Sequence, residues 1–124
     1  METFEYSVIR CVPKVEREEF FNVGVIVFSK RNKFLGVKYK IDKEKLLCMN
    51  SELDVEMLAQ YLRSWTLISE GNAEGGKIAL FDMPYRFRWL TASRSTIIQS
   101  SRPHPGRCED PALILQQLFE KYVS

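Results

Sequence analysis

The chain is predicted to be an α+β domain: a mainly antiparallel sheet of four or five strands with helices packed on one face. Three observations carry this. Extended apolar runs crowd the first third of the chain, between Tyr6 and Ile41. A stripe at helical spacing comes next, made of Val55, Leu58, Tyr61, Leu62, Trp65 and Ile68. Near the end, Asp110-Pro111 opens a segment with its own apolar face of Leu115, Leu118, Phe119 and Tyr122. With 124 residues and 45% apolar content, one domain spanning 1–124 and one core are expected.

Tyr6 to Val12 is apolar on both faces apart from Ser7 and Arg10, and Pro13 stops it, so it reads as a buried strand. Arg10 within it has two readings. The favoured one pairs it with Glu18 or Glu19 at the sheet end; the other aims the guanidinium into a pocket. Lys14 to Phe21 reads as a charged connector with one helical turn. Asn22 to Phe28 is a continuous β-branched run, hence a central strand covered on both faces. Gly24 inside it implies close approach by another backbone or a bulky side chain. After the polar turn Ser29 to Lys33, the segment Phe34 to Ile41 alternates, with Lys38 and Lys40 opposite Leu35, Val37 and Tyr39. That is a half-exposed strand whose lysines discourage edge pairing.

Asp42 is placed to cap a short helix from Lys43 to Met49. Ser51 to Asp54 has capping-box spacing for the helix that carries the Trp65 stripe, which ends at the glycine-rich stretch Gly71 to Gly76. Those glycines lack a following G-K-[ST] or the G-x-G-x-x-G pattern, so no nucleotide loop is expected. Lys77 to Met83 reads as a short strand or an extended lead into an arginine-rich segment. Tyr85, Phe87 and Trp89 alternate with Arg86 and Arg88, the pattern of a strand. A second short strand is expected over Ser95 to Gln99, and an ordered loop over Arg102 to Gly106, where two prolines restrict the backbone.

This last region is where function is expected to sit. Net charge is only +2, but between Met83 and Cys108 there are five arginines and no acid, along with the single histidine, His104. Guanidinium groups suit carboxylate or phosphate, and hydroxyls such as Ser93 and Ser95 add donors. A second basic patch, Lys30, Arg31, Lys33, Lys38 and Lys40, lies in the Lys30–Lys45 region, which holds seven basic residues against Asp42 and Glu44. A solvated cationic face remains the plainer alternative for both.

Three stretches, Tyr6 to Arg10, Glu19 to Val25, and Phe87 to Gln99 leading into His104-Pro105-Gly106, resemble a bacterial family of small proteins catalogued as domain of unknown function 3037. The positions matching its pattern are Arg10, Glu19, Asn22, Gly24, Arg88, Ser93, Arg94, Ser95 and His104. Gly24 has an ordinary structural explanation, and Asn22 is placed to satisfy backbone groups. The resemblance brings no activity with it. Members of such a family are often encoded beside HipA-like serine/threonine kinases, so the resemblance implies an accessory or partner role by association only.

Catalytic arrangements find no support. His104 and Cys108 supply two ligands where zinc needs four, and no G-x-S-x-G context exists. No cofactor or metal is expected. The three cysteines lack a C-x-x-C, suiting free thiols in a cytoplasm, and neither a secretory leader nor a membrane span is expected. The leading expectation is a non-catalytic cytoplasmic interaction domain that binds a protein partner, a HipA-like kinase among the candidates. Its anion- or partner-binding residues would be Arg10, Arg88, Ser93, Arg94, Ser95 and His104. The alternative is nucleic-acid binding by the Arg86–Arg107 segment together with the Lys30–Lys45 region. Homodimerisation through an exposed sheet edge stays open.

Overall fold

The computed structural model of the protein describes residues 1–13, 20–94 and 96–123. Strands β1 (Glu2–Cys11), β2 (Phe21–Ser29) and β3 (Phe34–Tyr39) come first, then helices α1 (Lys43–Met49) and α2 (Val55–Glu70). Two 3-10 turns, Ala73–Gly75 and Lys77–Leu80, lead to α3 (Met83–Thr91). The chain continues with β4 (Ile98–Ser100), β5 (His104–Cys108) and α4 (Pro111–Tyr122). All pairings are antiparallel. The order is β3-β2-β1, and the far edge of β1 is shared: β4 pairs with its end, opposite Ile9 to Cys11, and β5 with its start, opposite Glu2 to Tyr6. The α+β class and the antiparallel sheet, here of five strands, agree with expectation.

The helices occupy both faces of the sheet, not one. On one face Ile9, Ile26, Phe28 and Leu35 pack with Leu58, Leu62 and Trp65 of α2 and Phe87 and Leu90 of α3. On the other, Phe4, Val8, Val25 and Val27 meet Leu115, Leu118 and Phe119 of α4. The reason lies in β1 and β2 themselves. Successive residues such as Val8 and Ile9, or Val25 and Ile26, are both apolar and both buried, so each side of the sheet requires a cover. Lys38 of β3 consequently sits under α4. Its ammonium donates to Oε1 of Gln116 and lies 5.0 Å from the centre of the Phe119 ring.

Helix ends match the sequence signals closely. Asp42 caps α1 through a 3.1 Å bond from the Lys45 N–H, and Asp110 caps α4 through the Ala112 N–H at 3.1 Å. Asp54, rather than Ser51, caps α2, accepting from the Met57 N–H at 3.0 Å. Gly71, at φ 71°, closes α2 in the left-handed conformation that glycine adopts without a steric penalty.

The region after Gly76 departs from expectation. Tyr85 to Trp89 is helical: Asp82 accepts the Tyr85 N–H at 3.0 Å, Pro84 sits in the first turn, and Phe87 and Leu90 point into the core one turn apart. A cap, a first-turn proline and that three-residue spacing outweigh the alternation of aromatics. The segment before it is a 3-10 turn, and the second short strand starts at Ile98. Residues 104–108, expected to be largely loop, form the edge strand β5. Pro105 is tolerated there because β5 pairs only with β1, so no second ladder needs its missing N–H. The expected helical turn in the connector falls at residues 14–19, outside the described residues. Among the described residues no helix is long and apolar enough to cross a membrane.

Cys11 and Cys108 are buried while Cys48 is exposed, and all three are free. Burial pushes the Cys11 thiol up to about 11 and raises that of Cys108. The protonated Cys11 is thus favoured by folding. Its contribution to stability is present below its unfolded value and is lost as pH rises toward about 11. Native protein treated with iodoacetamide at mildly alkaline pH should label at Cys48 alone, and at all three cysteines after denaturation. Mass spectrometry reads the count; rapid native labelling of Cys11 would show that the sheet does not protect it.

Candidate functional site

The arginine-rich segment does not form a single patch. Arg86 turns inward: its Nη1 donates to the Phe81 carbonyl at 3.0 Å, and its Nε is buried without a hydrogen-bond partner. Arg88 is exposed on α3, and Arg102 and Arg107 are exposed on the β4–β5 connection and on β5. Arg94 is half-buried, with its guanidinium 4.5 Å from the ring centre of Trp89 and 5.0 Å from that of Trp65, and it donates to the Trp89 carbonyl. Burial lowers its pKa. Arg94 therefore ties the chain leaving α3 to a pair of indoles, which themselves meet edge to face. Ser93 is exposed, and Ser95 lies outside the described residues.

Among the described residues neither Arg88 nor Arg94 has a carboxylate within ion-pair distance; the ion pair found is Arg31 Nε to Glu2 Oε2 at 3.8 Å. The second basic group also divides. Lys30, Arg31 and Lys33 are exposed at the β2–β3 turn, Lys40 is exposed just past the other end of β3, and Lys38 between them is occupied with α4.

One juxtaposition joins residues far apart in the chain. Tyr6, Val8 and Arg10 share the face of β1 that looks toward α4, and the pairing of Tyr6 with His104 carries the histidine to the same place. With Phe20, Asn22, Ser101 and Tyr122 they line a pocket of about 260 Å³. Arg10 lies 4.4 Å over the Phe20 ring, and its Nε is buried with no hydrogen-bond partner among the described residues. The rings of Tyr6 and His104 are 5.3 Å apart, and those of Tyr6 and Tyr122 stack at 6.1 Å. The two tyrosine hydroxyls share a hydrogen bond at 3.3 Å, which raises the pKa of Tyr6 and lowers that of Tyr122. Asn22 donates to the Tyr122 carbonyl at 3.1 Å, so it does satisfy a backbone group, at the end of α4. Pairing of Arg10 with Glu18 or Glu19, and Glu19 itself, lie outside the described residues.

A further surface is not evident from the sequence. Leu80 is 71% exposed, and Phe81 and Tyr85, 47% and 40% exposed, have ring centres 4.4 Å apart. Arg88 lies one turn of α3 beyond Tyr85. The available signal is Ile78-Ala79-Leu80-Phe81, an apolar run of which only Ala79 is fully buried. Among the described residues no group of three or more His, Cys, Asp or Glu side chains is placed to hold a metal ion.

Fold and surfaces together define a three-layer α+β domain with helices on both sides of a five-stranded antiparallel sheet, in which, among the described residues, Arg88 and Arg94 have no ion-pair partner. The chain belongs to the family described as Protein of unknown function (DUF3037), whose family model matches residues 6–123. That span includes every position on which the resemblance in the sequence rests. No curated protein and no solved structure matches the chain.

Proposed function

We propose that the domain works without catalysis, docking an acidic surface of a partner protein on the exposed side of α3 and the turn before it. The observation that supports this is the group of Leu80, Phe81 and Tyr85, exposed together and continued by Arg88. Clustered exposed apolar side chains are characteristic of interaction surfaces. Tyrosine and arginine are the residue types that most often anchor interfaces. An arginine with no carboxylate partner among the described residues favours a negatively charged or phosphorylated partner. Ser93, at the end of the same helix, adds a donor, and Arg94 holds that end against the tryptophans. A HipA-like serine/threonine kinase, the neighbour implied by the resemblance, is the first partner to try. For nucleic acid the support is thinner: the basic residues at the two ends of β3 are separated by roughly 20 Å of strand with Lys38 engaged between them.

Affinity purification of the tagged protein from its native cells tests the proposal. The unaltered chain should retain a protein that salt releases. Arg88→Glu and Tyr85→Ala should lose it with unchanged melting temperature. Arg94→Ala should instead lower stability by about 1 kcal/mol through loss of its contacts with the two indoles. Equal retention by Arg88→Glu ends the α3 assignment. Tight binding of short DNA or RNA that falls steeply with salt would favour the nucleic-acid alternative.

A further inference from the structure

We infer that the pocket between β1, β5 and the end of α4 binds a small organic carboxylate, held by the guanidinium of Arg10. This site is separate from the α3 surface and does not rest on it.

Arg10 has no counterpart among the described residues. Among the described residues none of its nitrogens has a hydrogen-bond or ion-pair partner, and its Nε is also shut off from solvent. A buried donor left unmade is an unfavourable arrangement that folding ordinarily avoids. Phe20 covers one face of the guanidinium at 4.4 Å, which leaves the planar edge and its terminal N–H groups for a ligand. That edge is the part that grips two oxygens at once, in the geometry of a carboxylate.

The walls fit the same ligand. Among the described residues that line it none is acidic, and Arg10 is the one with a permanent charge, so a single negative charge is matched. Tyr6 and Tyr122 use one O–H between them, which leaves the second free to donate to a bound oxygen. Asn22 and Ser101 are already engaged, with the Tyr122 carbonyl and with the Val8 N–H at 2.8 Å, and serve to fix the walls. Val8 and the rings of Phe20, Tyr6 and His104 supply apolar surface for the body of the ligand. A volume of about 260 Å³ suits a molecule smaller than a drug-sized ligand. A phosphate dianion would set two charges against one guanidinium and leave its third face of oxygens without donors.

The protein's single histidine makes the test direct, since its imidazole signals report on this pocket alone. Nuclear magnetic resonance titration of the intact protein with benzoate should shift the His104 ring signals saturably. Arg10→Gln should weaken that binding roughly tenfold or more, the usual effect of removing a charged hydrogen-bond partner. Replacing Tyr6 and Tyr122 together by phenylalanine keeps both rings and removes both hydroxyls; it should weaken binding several-fold, and it decides the matter if Arg10→Gln does not fold. Inorganic phosphate in a parallel titration should leave the signals in place. Phosphate binding as tightly as benzoate would overturn the carboxylate assignment. Benzoate without effect on His104, or equal affinity in the folded Arg10→Gln protein and in the protein with both tyrosines replaced by phenylalanine, would overturn the site.

Discussion

Gly24→Ala should lower stability by about 1–3 kcal/mol, the range for inserting a methyl group into a packed interior. Gly24 lies in β2, between Ile9 of β1 and Tyr39 of β3. A Cβ there would fall 2.7 Å from the Lys38 carbonyl oxygen, 3.0 Å from the Tyr39 Cβ and 3.1 Å from the Ile9 Cδ1. The first is backbone within a paired strand, so it cannot swing aside as a side-chain tip would. Relief requires β2 and β3 to separate, which strains the ladder between them. For a domain of this size the loss corresponds to a fall in melting temperature of roughly 10 °C. Differential scanning calorimetry measures it. An unchanged midpoint would mean that the strands lie further apart at this point than the structure places them.

Leu62→Ala is expected to cost more, about 2–5 kcal/mol. Leu62 is 0% exposed and stands in the middle of α2, within the cluster that joins this helix to the sheet and to α3. The substitution removes three heavy atoms from a site closed on all sides, and the rigid sheet beneath limits how far the neighbours can collapse into the gap. Alanine's better helix propensity returns only a few tenths of a kcal/mol. Urea denaturation should show an earlier midpoint with an unchanged slope. A loss below about 1 kcal/mol would show that α2 is not seated on the sheet as described.

Both positions are readable in the sequence, Gly24 from its place inside a β-branched run and Leu62 from its helical spacing. The long strands and three of the four helices are legible for the same reason: period and caps agree. α3 is not, because Tyr85, Phe87 and Trp89 alternate and suit a strand as well as a short helix. The start signal at Asp82 to Pro84 is present, and Phe87 with Leu90 satisfies the helical period over only nine residues. The second cover for the sheet is also implied, since β1 and β2 carry apolar residues toward both sides.

The site is legible in kind but not in place. Arginines without nearby acids are visible, yet spacing does not reveal that Arg94 packs on two tryptophans while Arg88 stays exposed. Arg10 and His104 share a pocket only because β5 lies along β1, a pairing that no local pattern announces. Phe20 and Tyr122 join them through the ends of β2 and α4, and neither residue type signals that role by itself.

The strand at the middle of the sheet is the first one in the sequence, with consequences for how the molecule is made. On a ribosome, β1 acquires β2 once Phe21 to Ser29 has followed it, but its other edge has no mate until the stretch from Ile98 to Cys108 has emerged. Until then the nascent sheet offers an open row of amides and carbonyls, the hazard that recruits chaperones to growing chains. Closure depends on contacts of very long sequence separation, so assembly should be slow for a domain of this size and should finish only after β4 and β5 are free to pair with β1.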